Sequence, residues 1–215
     1  MKEKINKLTS HALSSLYLCN KAFNEIWNIT QAPSTSEELK LVSSPPFNFY
    51  SVALQYCFIM EYSKLLDTNL SHEDKNVASL FKLNNSANEF LGEEFKIKYI
   101  ENKKLLNELN KSDLGAKLKK LRDKKFGHAD NDESINIPLK IEGFSSDQIT
   151  EIKNHLRVLL RIVNNILVYV AKSSFGLNDD NRTANFIRHH AKYKQYYYDN
   201  YKRAMEEGYG LNVIS

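Results

Sequence analysis

The chain has 215 residues, of which 42% are hydrophobic and 26% charged, and its formal net charge is +4 at pH 7. This composition is that of an ordinary globular protein, and so small a net charge does not by itself demand a nucleic-acid partner. Seven glycines and four prolines are few for this length, which favours long helices over many short strands. We therefore expect an all-α protein with one main core.

The first predicted helix carries apolar residues at alternating intervals of three and four, which is typical of one buried stripe. The stripe consists of Ile5, Leu8, Ala12, Leu16, Cys19, Phe23 and Ile26. A break is expected at residues 31–36, where Pro33 and Ser/Thr residues replace the pattern. Pro45 and Pro46 then open a helix over about residues 47–67 that is apolar almost all round and belongs at the centre of a bundle. Its predicted inward residues are Phe49, Val52, Ala53, Tyr56, Ile59, Met60, Ser63 and Leu66.

The middle of the chain predicts a short helical piece at about residues 77–83, capped by Ser71 or Asp74, and then helices at about 86–110 and 113–126. Residues 129–144 predict an irregular loop, in which Pro138 limits any strand to an edge. Ser146 or Asp147 is the expected cap of a helix over residues 145–174. The predicted organisation is a helical bundle over residues 1–176 and a basic, tyrosine-rich helical extension over residues 177–215 that packs on it.

Cysteine usage and hydropathy indicate the cellular compartment of the protein. Cys19 and Cys57 lie in apolar helical patterns without metal-binding or disulfide-scaffold spacing, so we expect free thiols in a reducing environment. The N-terminal residues lack the uninterrupted apolar segment of a signal peptide. No stretch approaches the roughly 18 apolar residues of a membrane span. The sequence therefore predicts a cytoplasmic protein that does not bind a membrane.

The most informative segment is residues 118–132, which read LKKLRDKKFGHADND. It places Arg122 six residues before His128, at the expected end of a basic helix. An arginine can hold phosphate, and a histidine titrates near neutrality and can move a proton. The histidine would take the proton of a ribose 2′-hydroxyl while the arginine stabilises the pentavalent phosphate, so that RNA is cut without a metal. Asp123 would orient Arg122 or the histidine of a partner subunit.

The spacing of this pair sets a geometric condition. In a continuous helix, six residues separate Arg122 from His128 by about 120° around the axis and roughly 9 Å along it. The two side chains converge only if Gly127 ends the helix and turns His128 back, or if two copies of the motif face one another across a homodimer. The other interpretation, in which both are surface residues without a function, stays open.

The charge distribution points to the same segment. Residues 96–125 contain eleven Lys and Arg residues and four acids, whereas residues 128–151 contain six acids and one lysine. This run predicts either a phosphate track that leads to the motif or a solvated helix face. In the first case the candidate RNA contacts are Lys119, Lys120, Lys124 and Lys125.

Other kinds of site find less support in the sequence. His128, Asp130, Asp132 and Glu133 match no established metal-binding loop, so we expect neither a metal nor another cofactor. The absence of a Gly-rich phosphate loop, GxSxG and HExxH excludes nucleotide hydrolases, serine hydrolases and zincins. The remaining histidines are interpreted as residues without a suitable partner in the sequence or as surface residues; they are His11, His72, His155, His189 and His190.

The C-terminal helix mixes lysine and arginine with Tyr193, Tyr196, Tyr197, Tyr198 and Tyr201. Aromatic rings that stack on bases, set among cations that meet phosphates, are typical of surfaces that hold single strands. Tyr193, Tyr197 and Tyr201 also share one helical face, which favours docking of this helix on the bundle. We expect docking, and binding of a strand stays open beside it.

The segment LRDKKFGHAD, residues 121–130, resembles the Arg-polar-x(n)-His signature of HEPN domains, and more narrowly the AbiU-type branch that is associated with bacterial abortive infection. The segments LQYCFIMEYSKLLD and SLFKL resemble that branch as well, and together the resemblance covers roughly residues 1–175. Arg122 and His128 match the catalytic positions of the signature, and Asp123 matches its polar position.

The resemblance implies a dimerising α-helical bundle in which Arg and His from both subunits line a cleft that cuts RNA independently of metal. It implies a ribonuclease of the toxin or antiviral-defence type, with an antitoxin or another defence-system protein as a candidate partner. Many regulated toxins of this family have a tyrosine two residues after the histidine; Asp130 stands there in this chain, which argues against that regulation. Two alternatives stay open: a catalytically inactive HEPN module that binds nucleic acid or a protein, and an adaptor that only dimerises.

Overall fold

The computed structural model describes residues 2–68, 78–123, 144–178 and 180–206. Within these ranges the regular structure is helical and no strand occurs. The helices are α1 (Lys2–Thr30), α2 (Ser36–Val42), α3 (Pro45–Leu65), α4 (Leu80–Leu91), α5 (Lys96–Lys111), α6 (Asp113–Leu121), α7 (Ser146–Val170) and α8 (Arg182–Glu206). The all-α prediction is confirmed for the described chain. The predicted loop at 129–144, apart from Phe144, lies outside it.

Contacts between residues divide the chain into two compact units. The first comprises Met1–Phe23 and Val52–Asp179, and the second comprises Asn24–Ser51 and Asp180–Ser215. The first unit contains α4–α7 and most of α1 and α3, whereas α2 packs against α8 in the second. The functional division into a HEPN-type bundle and a C-terminal extension stays a prediction. None of the described helices is long and apolar enough to cross a membrane.

The apolar stripes of the two longest predicted amphipathic helices are confirmed. All seven stripe residues of α1 are buried, as are six of the seven predicted for α7, and only Val170 at the end of α7 is half-buried. The cap of α7 differs from the prediction, because Ser145 accepts a hydrogen bond from the Gln148 amide and Gln148 closes a capping box. A capping box satisfies two otherwise unpaired amides at a helix start.

The inward face predicted for α3 is partly wrong. Ile59, Ser63 and Leu66 are buried as expected, but Phe49 is 78% and Tyr56 44% exposed. The residues of α3 that are buried instead include Gln55, Phe58, Tyr62 and Leu65. Because apolar residues lie on nearly every side of this helix, its sequence does not indicate which side meets the core.

Two further helix boundaries differ from the prediction. α2, which the sequence did not indicate, begins at a capping box in which Thr35 and Glu38 each accept a hydrogen bond from the other's backbone amide. The helix predicted over residues 86–110 is divided at Gly92, whose φ of +61° favours glycine. The first part, α4, also includes part of the separate short helix predicted at about residues 77–83, and Ser79 caps it. Ser71 and Asp74, the caps predicted for that short helix, lie outside the described residues.

Three asparagines join α4, α5 and α7. The Asn165 side-chain amide donates to Asn102 Oδ1 over 2.8 Å, and the Asn102 amide donates to Asn84 Oδ1 over 3.0 Å. Asn84 in turn donates to the Tyr99 carbonyl oxygen over 3.1 Å. Asn102 is completely buried, so loss of either hydrogen-bond partner would leave a buried amide group unpaired, which costs free energy. The network therefore favours a single register of the three helices. It holds the α5 segment from which α6 continues.

Both cysteines are free thiols, as predicted. Cys19 is buried, and its Sγ lies 3.9 Å from the carbonyl oxygen of Phe58. Burial raises the pKa of the Cys19 thiol well above its usual value and also raises the pKa of Cys57. Because the thiolate is the reactive form, both cysteines are expected to be unreactive packing residues.

Candidate functional site

α6 carries the predicted basic residues, and its start is held against the end of α5. Ser112 Oγ donates to the Leu109 carbonyl oxygen over 2.9 Å and accepts from the Gly115 amide over 3.0 Å. Leu114, Gly115 and Leu118 are buried, whereas Lys119 and Lys120 are exposed. The amphipathic pattern of α6 therefore turns its lysines towards solvent.

Arg122 is the C-cap residue of α6, and residues 124–126, the end of the helix predicted over residues 113–126, lie outside the described residues. The backbone hydrogen bonding widens to a π-type turn at residues 122 and 123. His128 lies outside the described residues, so the angle of about 120° expected between Arg122 and His128 in an uninterrupted α-helix stays a prediction.

An ion pair with the next residue holds the side chain of Arg122. Its Nε donates to Asp123 Oδ1 over 2.7 Å, and its Nη2 lies 2.6 Å from the same oxygen. Both side chains are partly exposed, 30% for Arg122 and 46% for Asp123. The contact uses the Nε–Nη2 edge of the guanidinium. Of the two alternatives predicted for Asp123, contact with Arg122 or with the histidine of a partner subunit, it is the first.

A small cavity of about 60 Å³ adjoins Arg122. Its described lining comes from the end of α3, the end of α5 and from α6: Tyr62, Ser63, Leu66, Asp67, Thr68, Asn110, Gly115, Lys119 and Arg122. Two cations, Lys119 and Arg122, line it beside neutral hydroxyl and amide groups, with Asp67 as the acid among these residues. The volume is far below that of a typical small-molecule site and suits a small anionic group or water.

Ser63 is one of the residues that line the cavity, and its side chain is buried. Its hydroxyl oxygen is buried and has no hydrogen-bond partner in the part of the chain that the structure describes. A buried hydroxyl without a partner costs about 1–3 kcal/mol.

The structure describes only part of the predicted site. Lys119 lies with Arg122 at the cavity, and Lys120 is exposed on α6. His128, Lys124 and Lys125 lie outside the described residues, as do the acids Asp130, Asp132 and Glu133, so the convergence of Arg122 with His128 stays a prediction. Among the described residues, no group of three or more His, Cys, Asp or Glu side chains is arranged to hold a metal ion.

Sequence reasoning missed a buried hydrogen-bonded group beside the cavity. The Tyr62 hydroxyl lies 2.7 Å from His155 Nδ1, and the two rings are stacked with centroids 6.0 Å apart. On the other side of the imidazole, His155 Nε2 lies 3.5 Å from Glu151 Oε1. His155 therefore has two partners, contrary to the prediction. Glu151 and His155 are four residues apart on one helix, and this spacing could have indicated Glu151 as a partner. Tyr62 is distant in sequence and is brought to His155 by the fold.

The environment keeps both groups of the Tyr62–His155 pair neutral. Burial lowers the pKa of His155 to about 4 and raises the pKa of Tyr62. A neutral imidazole that accepts the tyrosine hydroxyl at Nδ1 carries its own proton on Nε2, facing Glu151. The pair thus fixes the end of α3, which forms one wall of the cavity, against α7.

We expect the protein to lose stability as the pH falls from 7 to 5, because the folded state holds His155 neutral while the unfolded state protonates it near pH 6.5. The contribution of this group is complete above that pH and decreases by about 2 kcal/mol at pH 5. Urea denaturation at the two pH values will measure it. His155→Gln should remove this part of the pH dependence, whereas His11→Gln, at an exposed position on α1, should retain it. Equal pH dependence in the two variants would contradict the assignment.

The tyrosines of α8 are exposed, whereas the packing of the C-terminal extension on the bundle stays a prediction. Tyr193, Tyr196, Tyr197 and Tyr198 are 62–67% exposed, and Tyr201 is 44% exposed. The residues of α8 that are buried precede them and are Ala184, Ile187 and Ala191. The two alanines allow close approach of another helix, whereas tyrosines would hold it away. His189 and His190 are exposed, as predicted.

Comparison with known proteins finds no matching family model, no matching curated protein and no matching solved structure. The fold and the site define the class of protein that the chain represents, an all-α protein with a cationic cavity at the end of α6. The resemblance to HEPN domains therefore stays a hypothesis that rests on its sequence motif.

Proposed function

We propose that the protein is a metal-independent endoribonuclease of the HEPN type that acts as a homodimer. The observation that carries the proposal is the cavity lined by Lys119 and Arg122, in which Asp123 holds the arginine. Lys119 and Arg122 outnumber Asp67, the acid of the lining, and suit the phosphate of a nucleic acid. The planar guanidinium matches the geometry of two phosphate oxygens.

In the proposed reaction, Arg122 binds the non-bridging oxygens of the scissile phosphate and stabilises the charge that develops on them. His128 accepts the proton of the adjacent 2′-hydroxyl, and the 2′-oxygen attacks the phosphorus. The bond from phosphorus to the 5′-oxygen of the next nucleotide breaks, and that oxygen takes a proton from the imidazolium of this or the second subunit. The products are a 2′,3′-cyclic phosphate and a 5′-hydroxyl. Lys119 and Lys120 attract the strand towards the cavity.

The experiment that tests this function is incubation of the purified protein with mixed tRNA and single-stranded RNA in EDTA, followed by analysis of the 3′ ends of the fragments. We expect the wild type to produce 2′,3′-cyclic phosphate ends and the His128→Ala variant to produce none. His11→Ala is the matched control, because His11 is exposed on α1, and it should cleave as the wild type does. Cleavage by His128→Ala at the wild-type rate would overturn the proposed role of this residue.

A second candidate function is that of a catalytically inactive HEPN module that binds nucleic acid or a protein partner. It is favoured by the fact that the described part of the site, Lys119, Arg122 and Asp123, suffices for binding a phosphate, whereas proton transfer requires His128 as well. A folded dimer that binds RNA and never yields fragments, with or without EDTA, would support this candidate. The search would then turn to a defence-system or antitoxin partner.

A further inference from the structure

The part of α8 that follows Ala191 exposes side chains on all its sides. Among the described side chains of residues 192–206, Asn200 is half-buried and the others are exposed. This segment contains five tyrosines, three lysines and one arginine, with Asp199 and Glu206 as its acids. The first part of α8, in contrast, buries Ala184, Ile187 and Ala191. The helix is thus anchored at its start and presents an aromatic, cationic surface along the rest of its length.

Such a segment is poorly explained as a helix that faces only water. A helix of about 15 residues without tertiary contacts is marginally stable by itself. Scattered surface aromatics are common, but a contiguous aromatic surface marks a site of interaction. A ligand that covers the rings would therefore stabilise the helix as well as bind to it.

The aromatic residues of α8 form a row on one side of the helix. Phe186, His190, Tyr193, Tyr197 and Tyr201 follow at intervals of four, three, four and four residues, which keeps them on one face. At the start of the row, the rings of Phe186 and His190 are stacked, with centroids 5.6 Å apart and planes inclined by 16°. Lys192 and Lys194 lie about 100° to either side of Tyr193 around the helix axis. Cations therefore border the aromatic row on both edges.

We propose that this α8 face, defined by Tyr193, Tyr197 and Tyr201 with Lys192 and Lys194, binds single-stranded nucleic acid. Bases stack on the tyrosine rings, and the lysines contact the phosphates that run beside them. Every nucleotide offers a base that can stack and a phosphate that can be contacted, so such a surface binds strands of different sequence. That the strand is the RNA substrate rests on the proposed function, whereas binding itself does not require cleavage.

The composition of the face favours a nucleic acid over a second copy of the chain. Self-associating helices meet through aliphatic residues such as Leu and Ile, and between residues 192 and 206 Met205 is the only large aliphatic side chain in the sequence. Two copies would also bring the same excess of positive charge together, whereas a polyanion neutralises it.

The test is the binding of a fluorescein-labelled, 15-nucleotide, U-rich RNA, measured by fluorescence anisotropy in EDTA with the full chain in the His128→Ala background. The double variant Tyr193→Leu/Tyr197→Leu should weaken binding at least tenfold, because leucine retains apolar surface but offers no ring for stacking. The variant Tyr193→Phe/Tyr197→Phe should bind as the parent does. Tyr17→Leu is the matched control, since Tyr17 is an exposed tyrosine of α1 next to a lysine, and it should have no effect.

The salt dependence tests the lysines separately. For single strands the slope of log K against log salt is about −0.7 for each phosphate contact. Lys192→Gln/Lys194→Gln should therefore make the slope less negative by about 1.4. Because all these side chains are exposed, the thermal unfolding of every variant should match that of the parent, and circular dichroism will verify this.

Three outcomes would overturn the proposal. The first is a parent protein that binds neither this RNA nor DNA of the same sequence. The second is RNA binding that is insensitive to the tyrosine variants and is lost on Lys119→Ala/Arg122→Ala, which would place the strand at the cavity alone. The third is a leucine variant that loses oligomers in light scattering while it binds RNA normally, which would assign the face to contact between copies. Retained binding in a protein that never cleaves RNA would contradict only the proposed nuclease function.

Discussion

Replacing Arg122 with alanine is expected to lower the rate of RNA cleavage by two to three orders of magnitude, about the effect of removing one preorganised donor from a developing oxyanion. The arginine lines the cavity and is held by Asp123 over 2.6–2.7 Å. Its charge is therefore in place before the substrate binds, and no reorganisation is needed when charge develops on the phosphate. Single-turnover cleavage in EDTA measures this effect, and the dissociation constant for RNA separates it from binding.

A series at the same position identifies the property of Arg122 that matters. Arg122→Lys keeps the charge but loses the planar fork, so it should retain most RNA affinity while cleavage stays at least tenfold below the wild type. Asp123→Asn removes the charge that holds the guanidinium and should lower the cleavage rate less than Arg122→Ala does. Wild-type rates in Arg122→Ala would exclude the cavity as the active site.

The matched control for this series is Arg157→Ala. Arg157 is an exposed arginine of α7, hydrogen-bonded to Asn154 on its own helix, and it does not line the cavity. Its removal changes the net charge by the same amount as Arg122→Ala does. A loss of cleavage in Arg157→Ala as large as that in Arg122→Ala would show that overall charge, and not the site, determines the rate.

Gly115→Ala is expected to destabilise the protein by about 1–3 kcal/mol, the usual range for overpacking in a core. Gly115 is buried in the first turn of α6, and a Cβ at this position would lie far inside the contact distance of the Leu109 carbonyl oxygen. That oxygen belongs to the backbone of α5 and accepts a hydrogen bond from Ser112. It cannot move without separating α6 from α5.

Urea denaturation of the wild type and of Gly115→Ala will measure this loss of stability. Gly176→Ala is the matched control, because a Cβ there meets no atom within 4 Å, and its stability should be unchanged or slightly higher. Since Gly115 also lines the cavity, the folded fraction of Gly115→Ala should bind RNA more weakly than the wild type. An unchanged midpoint for Gly115→Ala would show that α5 and α6 are not packed as described.

The sequence was sufficient for features that depend on local periodicity. The stripes of α1 and α7 follow from apolar residues at intervals of three and four, and burial confirms them. The same reasoning failed for α3, since a helix with apolar residues on almost every side has no preferred direction. It also missed α2, a helix of seven residues that is too short for a periodic pattern and is indicated only by its capping box at Thr35 and Glu38.

The candidate site shows the same contrast. Arg122, Asp123 and the lysines of α6 could be selected from residue chemistry and spacing, and the contact between Arg122 and Asp123 joins neighbours in the sequence. The walls of the cavity could not be selected, because Tyr62, Ser63 and Asn110 come from other helices. The exposure of the tyrosines in α8 was also beyond reach, since a tyrosine stripe is equally compatible with a docked helix and with an open surface.

By itself, the sequence determined that the described part of the chain is helical and where its long amphipathic helices lie, and it selected Arg122 and its neighbours as candidate site residues. These properties depend on interactions within about one or two turns of a helix, which local sequence contains. The tertiary structure alone decided that Tyr62 meets His155, that Lys119 and Arg122 share a cavity with the end of α3, and that the tyrosines of α8 face solvent. These properties depend on which distant segments pack together, and that choice is made by the packing free energy of the whole chain.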